Sequence, residues 1–185
     1  MEKIDFNSGG FTGFSNGEDL LLDTGIVLAY LNSYDSWHNT VKNFFDTEIT
    51  GKDLSLYLYV TQNIVNEITH LVGKPVEKYL RKYPSVTLSP SQIQRIETST
   101  IDVLEHMIEV DLLNVLGGNK QAVLNQISLY KALGASDAAN VALANEFGLN
   151  LLTVDGRLAS NMEANKSSLP NIEKVYFTTG THRSY

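Results

Sequence analysis

The chain has 185 residues, enough for one globular domain with a full hydrophobic core and too few for two ordinary domains to be the default. Its 43% hydrophobic and 19% charged residues exclude disorder of the whole chain, and the absence of cysteine excludes disulfides, thiol catalysis and cysteine-rich zinc sites. A net charge of −7 disfavours indiscriminate binding to a polyanion, while leaving room for a local basic strip that holds RNA.

Residues 1–19 are rich in Gly, Ser and Asn and read as a flexible or irregular lead-in without an apolar leader segment. No stretch approaches the roughly 18 apolar residues of a membrane span, so a cytoplasmic location is expected. Leu20-Leu21-Leu22 is a short apolar run ending in Asp23-Thr24-Gly25, which suits a buried parallel strand and then a helix, Ile26 to Leu31. A second short helix is predicted from His38 to Phe45, stopping near Gly51.

Ser55 to Val60 has the length and aromatic content of a strand. A helix follows from about Gln62, with Thr61 as its N-cap and Ile64, Val65, Ile68, Leu71 and Val72 as its apolar face. Gly73 and Pro75 interrupt it. Ser89-Pro90 opens a mostly helical region to Leu116 that Gly117-Gly118 ends, and another helix runs from about Asn119 to Leu133. The span around 75–133 therefore reads as a helical insertion.

Ser136 is expected to cap a helix from Asp137 to Phe147, with Gly148 as its stop. Leu149 to Val154 is an apolar strand ending in Asp155-Gly156, and Val175 to Thr179 reads as a last strand. This order predicts an α/β protein, a three-layer α/β/α sandwich with a central, mainly parallel sheet. In such sheets the binding crevice lies outside the carboxyl ends of the strands, where Asp23 and Asp155 fall. Asp137 opens the helix before the Asp155 strand, and Glu67 lies on the helix after the Ser55 strand, so the four acids can converge.

The segments around Leu20 to Leu31, Asn63 to Ile68, Ser136 to Asn145 and Leu152 to Leu158 resemble PIN-domain nucleases in content, order and spacing. Asp35 followed by His38 is similar to the family's Asp-x-x-His after the first helix, taken as structural. The resemblance spans roughly Leu20 to Phe177. It implies a PIN-like fold from residue 20 to 185, with Asp23, Glu67, Asp137 and Asp155 as catalytic residues and as ligands of Mg²⁺ or Mn²⁺. Asp23 and Asp155 would be direct ligands, Asp137 a ligand directly or through water, and Glu67 a ligand or an orienter of water. Hard cations favour such oxygen donors, and a bound ion lowers the pKa of its water and neutralises charge on a phosphate.

The activity so implied is metal-dependent endoribonuclease cleavage of RNA phosphodiester bonds. The resemblance extends to the VapC toxins of toxin–antitoxin pairs, which implies an antitoxin partner and a homodimer. An alternative is a non-catalytic PIN-like module that binds RNA or protein. Thr24, Thr153 and Ser136 are candidate hydrogen-bond donors to the acids, with ordinary capping as the other reading. Asn140, one helical turn after Asp137, reads either as a residue that reaches the same pocket and positions a water or as a polar surface residue, and is left outside the catalytic set. Lys74, Lys78 and Lys82, with Arg81, make one basic helix face beyond Glu67, either an RNA contact or a solvated strip. The four histidines have no zinc spacing, and hydrolase and phosphate-loop templates fail.

Overall fold

Leu20, Leu21 and Leu22 are each at most 1% exposed, the environment of a central strand covered on both faces. They belong to β2 (Glu18–Leu22) in a computed structural model that describes residues 1–178. Thr179, at the end of the expected last strand, and His182 lie outside the described residues.

The other strands are β1 (Glu2–Asp5), β3 (Leu56–Thr61), β4 (Asn114–Leu116), β5 (Asn150–Leu152) and β6 (Lys174–Phe177). All pairings are parallel, in the order β1-β6-β5-β2-β3-β4. The helices are α1 (Thr24–Leu31), α2 (His38–Phe44), α3 (Gln62–Leu71), α4 (Lys74–Lys82), α5 (Pro90–Glu109), α6 (Lys120–Leu133), α7 (Ala135–Phe147) and α8 (Gly156–Ala164). The end of α2 widens into a π turn over Phe45–Ile49.

From β2 the chain steps outward through β3 to β4, then returns across β2 to β5 and steps the other way to β6. Right-handed crossovers taken in opposite directions put α1 to α5 on one face and α6 to α8 on the other, the expected three layers. Contacts agree: α1 packs on α2, α3 and α5, and α6 packs on α7 and α8. The reversal at β2 is a topological switch point, so a crevice opens beyond its carboxyl end.

Several helix ends follow the sequence. Thr61 caps α3 by accepting from the Ile64 N–H at 3.0 Å. Ser89 and Gln92 form a reciprocal capping box with Pro90 in the first turn of α5. Gly148 closes α7 at φ 69°, a left-handed conformation that costs glycine little.

The structure differs from the reading in three places. Within the segment expected to be a flexible or irregular lead-in, Glu2–Asp5 pair with β6 as an edge strand, while residues 6–17 have no regular element. Phe6 and Phe14 from that irregular stretch are buried, Phe6 against Phe44 with ring centroids 4.3 Å apart. Asn114–Leu116, expected as the end of a helical region, pair with β3 as a three-residue edge strand. Ser136 does not cap α7, because the helix begins two residues earlier than expected, at Ala135, with Gly134 at its N-cap.

Candidate active site

Asp23 ends the β2 run and serves as N-cap of α1, its Oδ1 accepting the Thr24 N–H at 2.8 Å. Asp155 has the same role after β5: its Oδ1 accepts the Arg157 and Leu158 N–H groups at 2.8 and 3.1 Å as N-cap of α8. Two neighbouring parallel strands thus each deliver an acid to the carboxyl edge, held by helix N-termini whose partial positive charge favours carboxylates. Thr153 links them. Fully buried, its hydroxyl donates to Asp23 Oδ2 at 2.7 Å and accepts the Asp155 N–H at 2.9 Å.

Glu67 lies on α3 between the buried Ile64 and Ile68, so the helical period turns it inward. The Thr24 hydroxyl donates to its Oε2 at 2.5 Å, and the Ser136 hydroxyl makes a short hydrogen bond to its Oε1. Asp137 stands in the first turn of α7. All four acids line one cleft of about 470 Å³, walled also by Gly25, Trp37 and Val154. Thr24 and Thr153 are therefore donors to acids, as is Ser136, whose capping alternative the structure removes.

The carboxylates repel one another. Burial pushes the Asp23 carboxyl up to about 6, the charges of Asp137 and Glu67 push in the same direction, and the hydrogen bonds from Thr153 and Thr24 resist. Burial also raises Asp137, reinforced by Asp155 and Glu67 and opposed by Arg157. Concentrated like charge in an oxygen-only donor set is what a hard divalent cation neutralises, so the residues fit Mg²⁺ or Mn²⁺ in chemistry. In disposition they stop short of a closed cage. Among the described residues, no three His, Cys, Asp or Glu side chains are grouped so as to hold a metal ion as they stand.

Behind Glu67 lies a polar layer absent from the sequence reading. Asn63 Nδ2 donates to Ser136 Oγ at 2.9 Å and to Asn140 Oδ1 at 3.2 Å, and the Thr61 hydroxyl donates to the same Oδ1 at 2.7 Å. Asn140 is 4% exposed, is linked to Ser136 through Asn63 and lies outside the lining of the cleft. The available signal was helical spacing: Asn63 precedes Glu67 by four residues, and Ser136 precedes Asn140 by four.

His38 is structural as expected, its Nδ1 lying 2.8 Å from the Ala29 carbonyl oxygen. Asp35 accepts the Trp37 N–H at 2.8 Å and, beyond the structural role read from sequence, also lines the cleft. His70 is exposed and does not line it.

No family model matches the chain, and no curated protein matches it. Among solved structures it is similar to a chain of VapBC2 from Rickettsia felis, bound to a DNA fragment from the VapBC2 promoter. That match has 13% identity and a TM-score of 0.48, covering 85% of this chain and 98% of that one. It is also similar to a chain of FitAcB from Neisseria gonorrhoeae, at 16% identity and a TM-score of 0.45, covering 86% and 96% respectively.

Proposed function

We propose that this protein is a metal-dependent endoribonuclease that hydrolyses RNA phosphodiester bonds at the cleft beyond β2. The observation that carries this reading is the lining of one cleft, at the topological switch point, by Asp23, Glu67, Asp137 and Asp155. The resemblance of the four acid-bearing segments to PIN-domain nucleases supports it independently of the geometry.

Asp23, Asp137 and Asp155 are the residues that would hold Mg²⁺ or Mn²⁺, with Glu67 as a ligand or an orienter of water. The ion would supply an activated water and charge neutralisation at the phosphate. The protein's own contribution is positioning. Thr153 fixes Asp23 and ties it to the backbone at Asp155, while Thr24 and Ser136 hold the two oxygens of Glu67. A carboxylate fixed by two hydroxyls keeps one direction, and its remaining lone pairs can orient a water.

The narrower form of the proposal is a toxin restrained by an antitoxin, which rests on the motif resemblance alone. Induced expression should then arrest growth, co-expression of the antitoxin should relieve the arrest, and Asp137→Asn should abolish it. The other reading, a non-catalytic RNA- or protein-binding module, has no observation in its favour beyond the open spacing of the acids. Purified protein should cut structured RNA with Mg²⁺ or Mn²⁺ and stop when EDTA is added; cutting that persists in EDTA would overturn the metal-dependent reading.

A further inference from the structure

Beside the acidic cleft lies a second cavity of about 330 Å³, lined by Tyr34, Pro75, Lys78, Tyr79, Arg81 and Lys82. The two cavities share Asp35, Ser36 and Lys78, so they form one continuous surface. We propose that this second cavity is a subsite for a nucleotide of single-stranded RNA flanking the bond to be cut. The proposal rests on the nuclease reading of the adjoining cleft and names the form in which its substrate is held.

The chain carries a net −7, yet four of its 14 Lys and Arg residues, Lys74, Lys78, Arg81 and Lys82, fall in the nine residues of α4. Lys74 pairs with Glu77 at 2.7 Å, whereas Lys78 and Arg81 are exposed and enter no ion pair among the described residues. On an acidic protein such a strip attracts a phosphate backbone locally and repels it elsewhere. Lys78, which lines both cavities, is placed to meet the phosphate that passes between them.

The Tyr79 ring packs edge-on against Tyr34 at 5.0 Å and leans on Tyr83 at 4.9 Å, giving a braced aromatic wall next to the cations. Aromatic faces beside a basic track are how single strands are held without sequence readout, each base contributing a stackable surface. A duplex keeps its bases stacked inside and offers none to such a wall. An acidic protein segment would use the cations and leave the tyrosines idle.

The test reads binding in EDTA, so that it does not depend on cleavage. Fluorescence anisotropy of a labelled, mixed-sequence single-stranded RNA is followed with the full chain, a Lys78→Gln/Arg81→Gln variant, Tyr79→Leu and a Lys120→Gln/Lys131→Gln control on α6. The Lys78/Arg81 variant should bind about tenfold or more weakly, with its salt slope reduced by about 1.4 for two lost phosphate contacts. Tyr79→Leu should also lose about tenfold with the slope unchanged.

Unchanged affinity and slope in the Lys78/Arg81 variant would overturn the proposal, as would an equal loss in the α6 control. Retained RNA affinity alongside lost binding of a poly-glutamate peptide would assign the strip to an acidic protein and overturn it too. Wild-type protein that binds RNA through α4 yet never cuts it would overturn the nuclease reading, and the subsite's place beside a cut bond with it, leaving α4 only as an RNA-binding surface.

Discussion

The Thr153 hydroxyl donates to Asp23 Oδ2 at 2.7 Å while accepting the Asp155 N–H at 2.9 Å, so one buried side chain sets two acids delivered by different strands. Thr153→Val keeps the shape and removes both bonds. The partly buried Asp155 N–H loses its acceptor, which costs about 1 kcal/mol of stability. The variant also frees Asp23 from one of the hydrogen bonds that holds its carboxyl down, so that carboxyl rises further. The acid limb of the pH–rate profile should move to higher pH; an unmoved limb would show that Thr153 does not govern Asp23.

Glu67 has both oxygens engaged, by Thr24 and by Ser136. Ser136→Ala should lower activity about tenfold, the scale of a misplaced acid–base group, with about 1 kcal/mol of stability lost. Ser136→Thr retains the hydroxyl and should restore most of the rate. Equal losses in the Ala and Thr variants would reduce Ser136 to a packing role.

Without metal, the crowded acids should make stability depend on pH in a defined direction. The folded-state value of Asp23, about 6, lies above its ordinary 3.8, so between those values the folded protein binds more protons than the unfolded chain. Stability from this group is therefore full below pH 3.8 and declines as pH rises through about 6. Asp137 contributes with the same sign. Asp23 is only partly buried by surface exposure, and the solvent of the cleft reduces the effect to on the order of 1–2 kcal/mol. In EDTA at neutral pH, Asp23→Asn should melt higher than wild type. Mn²⁺ should raise the melting temperature of wild type and leave that variant nearly unchanged. A wild-type melt insensitive to Mn²⁺ would favour the non-catalytic module.

Much of this site was legible because its strands are buried on both faces. Leu20 to Leu22 is a continuous apolar run and Leu149 to Val154 a mostly apolar one broken by the buried Asn150 and Thr153, and an acid directly after each falls at the carboxyl edge. The edge strands were not legible: Glu-Lys-Ile-Asp in β1 and Asn-Val-Leu in β4 are too short and too exposed to carry an apolar signal. Of the two readings of Ser136, donor to an acid and helix cap, the first holds; a serine before an acid looks alike at N-cap and in the first turn, and the backbone at Gly134, φ 92°, distinguishes them. Asn140 resembled a surface residue because its burial depends on α3 packing against α7, a contact distant in sequence.

Gly25 is tightly fitted where α1 leaves β2. A Cβ there would stand 2.9 Å from Val154 Cγ2, closer than real contacts allow, and 3.8 Å from Asp23 Oδ2. Gly25→Ala should push the start of α1 away from the loop after β5 and loosen the Thr153–Asp23 bond. A cost of about 1–3 kcal/mol is the usual range for overpacking. Mn²⁺ affinity by isothermal titration should fall along with stability; a stable variant with undiminished affinity would show that the close approach is incidental to the site.

The measurement that bears most directly on the whole account is cleavage of a structured RNA pool by wild type and Asp137→Asn, purified identically, with Mg²⁺, with Mn²⁺ and with EDTA. The account predicts cutting by wild type with either metal, none in EDTA, and none by the variant under any condition. Equal cutting by the two proteins would contradict it.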